Sequence, residues 1–153
     1  MAIDRGHRRI LEVLQESGRI SNVELAERTG LSESPCFRRV KQLEESGYIL
    51  GYSAVVDRRK LGLEVTAFVH VTLDKRKDSD TEKFIALVEA EPHIVECHAM
   101  SGSYDYLIKV VARSIDHFSE LCMKRILKYP GVSNIESSFS LREIKSSRAV
   151  PVD

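Results

Sequence analysis

The sequence predicts an α+β protein in two parts, a helical first third and a longer region that alternates strand and helix patterns. Apolar residues recur at helical spacing as far as residue 46, and short β-type runs with two-residue alternation follow. Residues 57–63 are charged and lack an apolar period, which is typical of a linker. We therefore expect one domain over residues 1–56 and a second over residues 64–153.

Capping residues mark three helices in the first part. Asp4 is a candidate N-cap for a helix that ends at Gly18. Ser21–Glu24 has the form of a capping box, in which the serine hydroxyl and the glutamate carboxylate each bond a free amide of the first turn. Gly30 ends this second helix, and a third is predicted over Ser32–Ser46. Two helices joined by a tight glycine turn form a helix-turn-helix.

Two β-type runs follow the third helix. Tyr48–Leu50 and Tyr52–Val56 are separated by Gly51, which predicts a small hairpin. A hairpin after a helix-turn-helix commonly acts as a wing beside the DNA backbone. The first part is therefore predicted to be a winged helix-turn-helix.

The second part has the element order βαββαβ. The predicted elements are a strand at 65–73, a helix at 80–91, strands at 94–100 and 104–112, a helix at 115–129 and a strand at 132–144. Ser79–Glu82 has the form of another capping box, and Pro130-Gly131 ends the second helix. This order describes a ferredoxin-like sandwich, in which an antiparallel sheet has both helices on one face.

Both faces of this sheet are predicted to carry apolar groups. Alternation along the first strand places Val69 and Val71 on one face and Phe68 on the other. The face without helices is bare in a monomer, so a partner is expected to cover it. We therefore expect a homodimer that forms through the sheet.

The third helix presents a polar outer surface. At 100° per residue, Cys36, Val40 and Leu43 lie on its inner face. Arginine and glutamine side chains can bond guanine and adenine in the major groove, while serine and lysine hold phosphates. Any solvent-facing helix has a similar composition, but the ordered capping box, glycine turn, capped helix and hairpin favour DNA binding. For Arg39, on the flank, an ion pair with an acidic neighbour is an equal alternative to a phosphate contact. The candidate DNA-binding residues are Ser21, Asn22, Ser32, Ser34, Arg38, Arg39, Lys41 and Gln42.

Motifs in both parts resemble the Lrp/AsnC family of transcriptional regulators. Ser34–Glu44, followed by Gly47–Tyr52, is similar to the family's DNA-binding domain. Ser101–Tyr106 resembles the Gly-x-x-Asp-Tyr motif of its effector-binding domain, which is called RAM. Asn22–Ala26, Pro130–Val132 and Glu143–Lys145 also fit, so the resemblance covers nearly the whole chain.

The resemblance implies a regulator that binds double-stranded DNA and a small amino-acid effector. It also implies a RAM domain that dimerises and assembles further into tetramers or octamers, with amino acids bound near the Gly-x-x-Asp-Tyr loop. For Asp105 two roles stay open, pairing with the effector's ammonium group or capping backbone amides of a hairpin turn. The candidate effector-binding residues carried over from the family are Met100, Ser101, Gly102, Ser103, Tyr104, Asp105, Tyr106, Ser137 and Ser138.

The sequence offers little support for an enzyme, a metalloprotein or a membrane protein. No apolar run approaches the roughly 18–20 residues of a membrane span, and the first residues lack the apolar stretch of a secretory signal. His93, Cys97 and His98 form the one His/Cys cluster, but strand alternation turns His98 away from the other two. Phosphate-binding loops and nucleophile motifs are absent. We expect a cytoplasmic protein with no catalytic residues, no metal and no cofactor.

One alternative function uses the same fold. A low-specificity architectural protein that coats DNA would also carry a helix-turn-helix, but it would distinguish poorly between operator and random DNA. The chain has 23 Lys plus Arg and 23 Asp plus Glu, and this neutrality argues against purely electrostatic coating.

Overall fold

The computed structural model describes residues 2–74 and 78–153, which divide into two compact units. The first unit contains the chain up to Val55 together with Lys145–Asp153, and the second is Val56–Ile144. Residues 145–153, expected in the second domain, belong to the first unit. They lie with the first unit because the Gln15 side chain bonds the backbone of Val150, donating to its carbonyl at 3.1 Å and accepting from its N–H at 2.7 Å.

The first unit is built from three helices. These are α1 (Arg5–Glu16), α2 (Asn22–Thr29) and α3 (Glu33–Glu45). Asp4 is the N-cap of α1, as predicted, and its carboxylate accepts from the His7 N–H at 2.9 Å. The helices share a core that consists of Ile10, Leu25, Ala26, Cys36 and Leu43.

The predicted hairpin after α3 is wrong. Residues 48–56 include no strand. The exposed fractions of Leu50 and Val55 are 96% and 88%, so the apolar side chains that suggested strands are not buried here. A two-stranded hairpin without a buried face is marginally stable in water, which explains why the β-type pattern does not produce paired strands.

The second unit has the predicted βαββαβ order. Its elements are β1 (Val65–Leu73), α4 (Asp78–Ala90), β2 (Ile94–Ala99), β3 (Tyr106–Ala112), α5 (Ile115–Lys124), a 3₁₀ turn (Ile126–Lys128) and β4 (Val132–Phe139). All pairings are antiparallel, and the strand order is β2-β3-β1-β4.

Several element ends differ from the prediction. Helix α4 begins at Asp78, so Ser79 lies in the first turn and is not the N-cap of a box. The second predicted helix breaks at Arg125 into α5 and the 3₁₀ turn. Strand β4 ends at Phe139, five residues before the predicted end, because its neighbour β1 pairs with Phe139 through Ala67, near the start of β1.

The core of the second unit lies on one face of the sheet. Val69 and Val71 are fully buried there with Phe84 of α4 and Phe118 of α5, so both helices cover the same face. The opposite face is more polar than the sequence suggested: Phe68 shares it with Lys109, whose ammonium group pairs with Glu96 at 2.9 Å. Homodimer formation through this face stays a prediction.

Candidate functional sites

Hydrogen bonds fix the corner between α2 and α3. The Glu24 N–H donates to the Ser21 hydroxyl at 3.2 Å, which is the serine half of the predicted capping box. Asn22 donates its side-chain amide to the Glu33 carbonyl at 3.2 Å. Gly30 ends α2 with φ 69°, a conformation that favours glycine. Ser21 thus caps the start of α2 and Asn22 joins α2 to α3; both are predicted DNA contacts.

Helix α3 turns polar side chains to solvent at its N-terminal end. Ser32 occupies the N-cap position, but its hydroxyl makes no capping hydrogen bond. Helix N-termini attract anions through their free amides and the helix dipole, so exposed hydroxyls here suit a phosphate group. Cys36 and Leu43 are fully buried on the inner face, as predicted. The exposed candidate residues of this helix and its cap are Ser32, Ser34, Arg38, Lys41 and Gln42.

Arg39 has a different environment from the other basic residues of α3. Its guanidinium donates to the Asp4 carboxylate at 2.6 Å and lies 3.1 Å from Nδ1 of His7. Hydrogen bonds from the His7 N–H and from Arg39 hold the pKa of Asp4 well below its ordinary value of 3.8. His7 Nε2 in turn lies 3.4 Å from the Gln42 side-chain oxygen. This cluster connects the start of α1 to the flank of α3.

The loop between β2 and β3 contains the Gly-x-x-Asp residues of the motif, whose Tyr106 begins β3, and Asp105 fixes the loop to β1. The Asp105 carboxylate accepts from the Leu73 N–H at 2.8 Å, and its own N–H donates to the Val71 carbonyl at 2.9 Å. The Met100 N–H donates to the Asp105 carbonyl at 2.9 Å and closes the loop. Asp105 therefore caps a backbone amide, although that amide belongs to the end of β1 and not to the turn itself.

Two tyrosines of the loop region point to opposite faces of the sheet. The Tyr104 ring stacks on His70, with centroids 3.9 Å apart and planes 25° from parallel. Tyr106 packs instead against Phe84 in the core, at a centroid distance of 4.9 Å. Tyr106 thus stabilises the sheet, whereas Tyr104 lies with the loop.

The tip of the loop is exposed. Met100, Ser101, Gly102 and Ser103 are all solvent accessible. Gly102 has φ 137°, and a Cβ atom added there would meet no atom of the described residues within 4 Å apart from its two chain neighbours. The space around its backbone is open, which allows a ligand to approach the loop amides closely.

Ser137 and Ser138 face opposite sides of β4. Ser137 pairs with Val69 of the buried face, and Ser138 pairs with Phe68 of the open face. Burial raises the pKa of the Cys122 thiol to about 11, despite a hydrogen bond with Ser137. Within one chain, the two serines therefore do not line the same binding site.

Three neighbours of these sites were not among the predicted site residues. His70 supports Tyr104, His7 contacts Gln42, and Phe37 is more than half exposed on α3. Strand alternation put His70 on the open face, but only the fold shows that the loop returns over that face. A histidine three residues after an aspartate N-cap was the available signal for His7.

Other kinds of site find little support in the described residues. In residues 2–74 and 78–153, no three His, Cys, Asp or Glu side chains are placed to share a metal ion. His93 lies against the Val111 carbonyl at 2.9 Å and against the ring of His117. Across that same part of the chain, every helix is too short or too polar to cross a membrane.

Two family models match the chain. The model for a winged helix-turn-helix DNA-binding domain matches residues 3–49, and the Lrp/AsnC ligand binding domain matches residues 66–150. The leucine-responsive regulatory protein of Salmonella typhimurium is 38% identical over 150 residues, which cover 98% of this chain and 92% of that protein. The Escherichia coli K12 protein of the same name is 37% identical with the same coverage.

Two solved structures are similar to this chain over nearly its whole length. A transcriptional regulator from Neisseria meningitidis, crystallised as an L-Met complex, is 39% identical with a TM-score of 0.96, covering 99% of this chain and 98% of that one. Escherichia coli AsnC is 27% identical with a TM-score of 0.87, covering 98% and 99% of the two chains.

Proposed function

The chain belongs to the Lrp/AsnC family of transcription regulators, and we infer that it binds DNA and responds to an amino-acid effector. This family is not a family of enzymes. The observation that carries the inference is the exposed polar surface of α3, displayed by a helix-turn-helix whose corner is fixed by hydrogen bonds.

We propose distinct roles for the polar residues of α3. Ser32 and Ser34, beside the helix N-terminus, bind phosphate, as does Lys41 about two turns further along. Arg38 and Gln42 are the candidates for guanine and adenine, because both side chains are long enough to bond two atoms of a base edge. Ser21 and Asn22, at the start of α2, are proposed as further DNA contacts. They would keep their hydrogen bonds to Glu24 and Glu33 when DNA is bound.

Arg39 is assigned a positioning role. Its guanidinium is 2.6 Å from the Asp4 carboxylate, a strong charge-assisted hydrogen bond that a phosphate contact would have to replace. The ion pair holds the flank of α3 against the start of α1, and so sets how the other residues are presented.

Selection from random DNA tests the DNA-binding function. Purified protein is bound to a random duplex library, the enriched sequence is recovered, and its affinity is compared with that for unrelated DNA at one fixed salt concentration. We expect a ratio of at least about 10³, as for other sequence-specific proteins. A ratio near one would favour the architectural alternative, in which the same fold coats DNA.

The effector is proposed to bind at the exposed tip of the loop between β2 and β3. Gly102 leaves open space beside its backbone, so loop amides can reach a carboxylate. Asp105 is committed to the Leu73 N–H, which supports a role in shaping the loop. Ser137 and Ser138 lie on opposite faces of β4, so a shared role would require different subunits. Leucine and methionine are the first effectors to examine, since one similar regulator is named leucine-responsive and another was crystallised as an L-Met complex.

A thermal-shift screen against the twenty amino acids identifies the effector. A ligand that binds only the folded chain stabilises it by an amount that grows with the logarithm of ligand concentration, about 2.7 kcal/mol at a hundredfold excess over Kd, and Tm rises accordingly. We expect one or a few apolar amino acids to raise Tm in the wild type and to lose this effect in Gly102→Val. The exposed Met123, on α5, gives the control variant Met123→Ala, which should respond as the wild type does.

The assembly is proposed to be a homodimer through the open face of the sheet, with tetramers or octamers built from it. Phe68 and Leu107 supply apolar surface there, and Lys109 and Glu96 supply a charge pair. A two-fold dimer presents two α3 helices to half-sites about 34 Å apart. Light scattering should find at least a dimer for the wild type and a smaller species for Phe68→Glu. An unchanged mass would place the interface elsewhere.

A further inference from the structure

Phe37 is a large apolar side chain on the exposed surface of α3. Its exposed fraction is 53%, whereas Cys36 and Leu43 of the same helix are fully buried. Helical spacing places Phe37 one turn from Ser34 and one turn from Lys41, since residues three and four apart are neighbours on a helix surface. An aromatic ring therefore interrupts a surface that is otherwise polar and basic.

Packing within the first unit does not account for this ring. Val40 of the same helix is partly buried against the core of that unit, whereas Phe37 is 53% exposed. The Lys41 ammonium lies 5.6 Å from the ring centroid of Phe37. A cation–π contact at an exposed site contributes only about 0.5–1 kcal/mol, so it does not compensate for leaving a phenyl ring in water.

The major groove contains one apolar group that such a ring can contact, the C5-methyl group of thymine. With Lys41 beside the ring directed to a phosphate, Phe37 would face the base edges between Lys41 and Ser34. We propose that Phe37 is a specificity-determining residue that recognises a thymine by burying its methyl group. This inference rests on the proposed DNA-binding function and adds a base contact to it.

Replacing thymine by deoxyuridine tests the contact, because the substitution removes the methyl group and leaves base pairing intact. Each thymine of the selected DNA sequence is replaced in turn, and the Kd of each duplex is measured with the full-length protein. We expect one thymine per half-site at which deoxyuridine weakens wild-type binding about fourfold, the factor for one buried methyl group. Phe37→Ala should bind thymine and deoxyuridine duplexes equally at that position.

Two controls separate a base contact from a general loss of binding. Phe37→Leu keeps an apolar side chain and should retain part of the preference, whereas Met123→Ala, on an exposed helix position of the second unit, should retain all of it. The preference should also stay constant between about 50 and 200 mM salt, because a methyl contact releases no counterions. Since Phe37 is half exposed, the melting temperature of Phe37→Ala should match the wild type and confirm folding.

The outcomes distinguish this inference from the function on which it rests. If the wild type selects no sequence, the proposed function and the thymine contact both fail. If it selects a sequence but no deoxyuridine weakens binding, or if Phe37→Ala keeps the full preference, the inference on Phe37 alone is overturned.

Discussion

Helix α3 and the loop between β2 and β3 are both candidate functional segments, but they use their side chains in opposite ways. On α3, Arg38 and Lys41 are exposed on a rigid helix, with the buried Cys36 and Leu43 behind them. In the loop, Asp105 bonds the Leu73 N–H and Tyr104 stacks on a histidine. The helix leaves these side chains exposed to solvent, whereas the loop uses its side chains to shape a backbone.

This difference between exposed and bonded side chains shows where function can be inferred from residue type. A base or phosphate contact requires long polar groups that extend from a rigid support, so the residues that bind are the ones left exposed. A backbone that binds a small ligand must be held in one conformation, so the side chains that matter there already make hydrogen bonds or stacking contacts within the protein. Six variants test this comparison: four in order of expected effect, and two through the salt dependence of DNA binding.

Removing the carboxylate at Asp105 should have the largest effect. Asp105→Ala leaves the Leu73 N–H without its acceptor at a nearly buried position, and we expect a loss of about 3 kcal/mol in the free energy of unfolding. Urea denaturation measures this loss, with Ser103→Ala at the exposed tip as the control that should stay unchanged. If Asp105→Ala abolishes the effector response at full stability, Asp105 contacts the ligand, and the contrast with α3 breaks down.

Truncating Arg38 should affect binding and leave stability intact. Loss of a two-bond contact to a base costs about 2 kcal/mol, so Arg38→Ala should weaken binding to the selected DNA about thirtyfold and relax the preference at one base pair. Arg28→Ala, which breaks a surface ion pair with Glu16 on α2 and α1, serves as the control and should keep the sequence preference. Unchanged affinity for Arg38→Ala would contradict the role of α3.

A side chain at Gly102 should produce a moderate loss of stability without any clash. The φ of 137° is unfavourable for residues other than glycine, so Gly102→Ala should cost about 1 kcal/mol of unfolding free energy. The effector Kd from calorimetry should rise, while operator affinity without effector stays as in the wild type. A variant with unchanged stability and effector binding would show that the backbone at this position is not constrained.

The smallest effect should come from the ion pair that makes Arg39 an exception on its helix. Because hydrogen bonds from His7 and Arg39 lower the pKa of Asp4, its carboxylate adds stability above the ordinary value of 3.8. That contribution is lost as pH falls through the lower folded-state pKa. The unfolding free energies of wild type and Asp4→Asn should therefore differ at about pH 7 and converge in acid, as urea titrations at several pH values would measure.

The salt dependence of DNA binding separates Arg39 from Lys41. Lys41→Gln should lower the slope of log Kd against log salt by about one, since a phosphate contact is lost. Arg39→Gln should leave that slope unchanged if the guanidinium stays with Asp4. An equal change in both variants would place Arg39 on the phosphate backbone as well.

Most helices and strands were predictable because each follows from local rules. Asp4 and Ser21 mark helix starts by accepting from backbone amides within one turn, and Gly30 marks a helix end by donating its N–H to carbonyls of the last turn; the structure confirms each position. The hairpin over residues 48–56 was not predictable, because β-type residues form strands only where burial accompanies them, and Leu50 and Val55 are exposed. The local apolar pattern also did not predict that the last helix ends at Arg125.

The sequence by itself determined the order of elements, the inner and outer faces of α3 and the motif that identifies the loop, since all three depend on spacing along the chain. Only the tertiary structure decided the partners of Asp105, Tyr104 and Arg39, each of which lies more than thirty positions from its partner. Such contacts form when the whole sheet or helix cluster closes, so no local pattern encodes them. The proposed roles depend on which side chains are exposed and which make contacts within the protein. That difference is therefore decided by the fold.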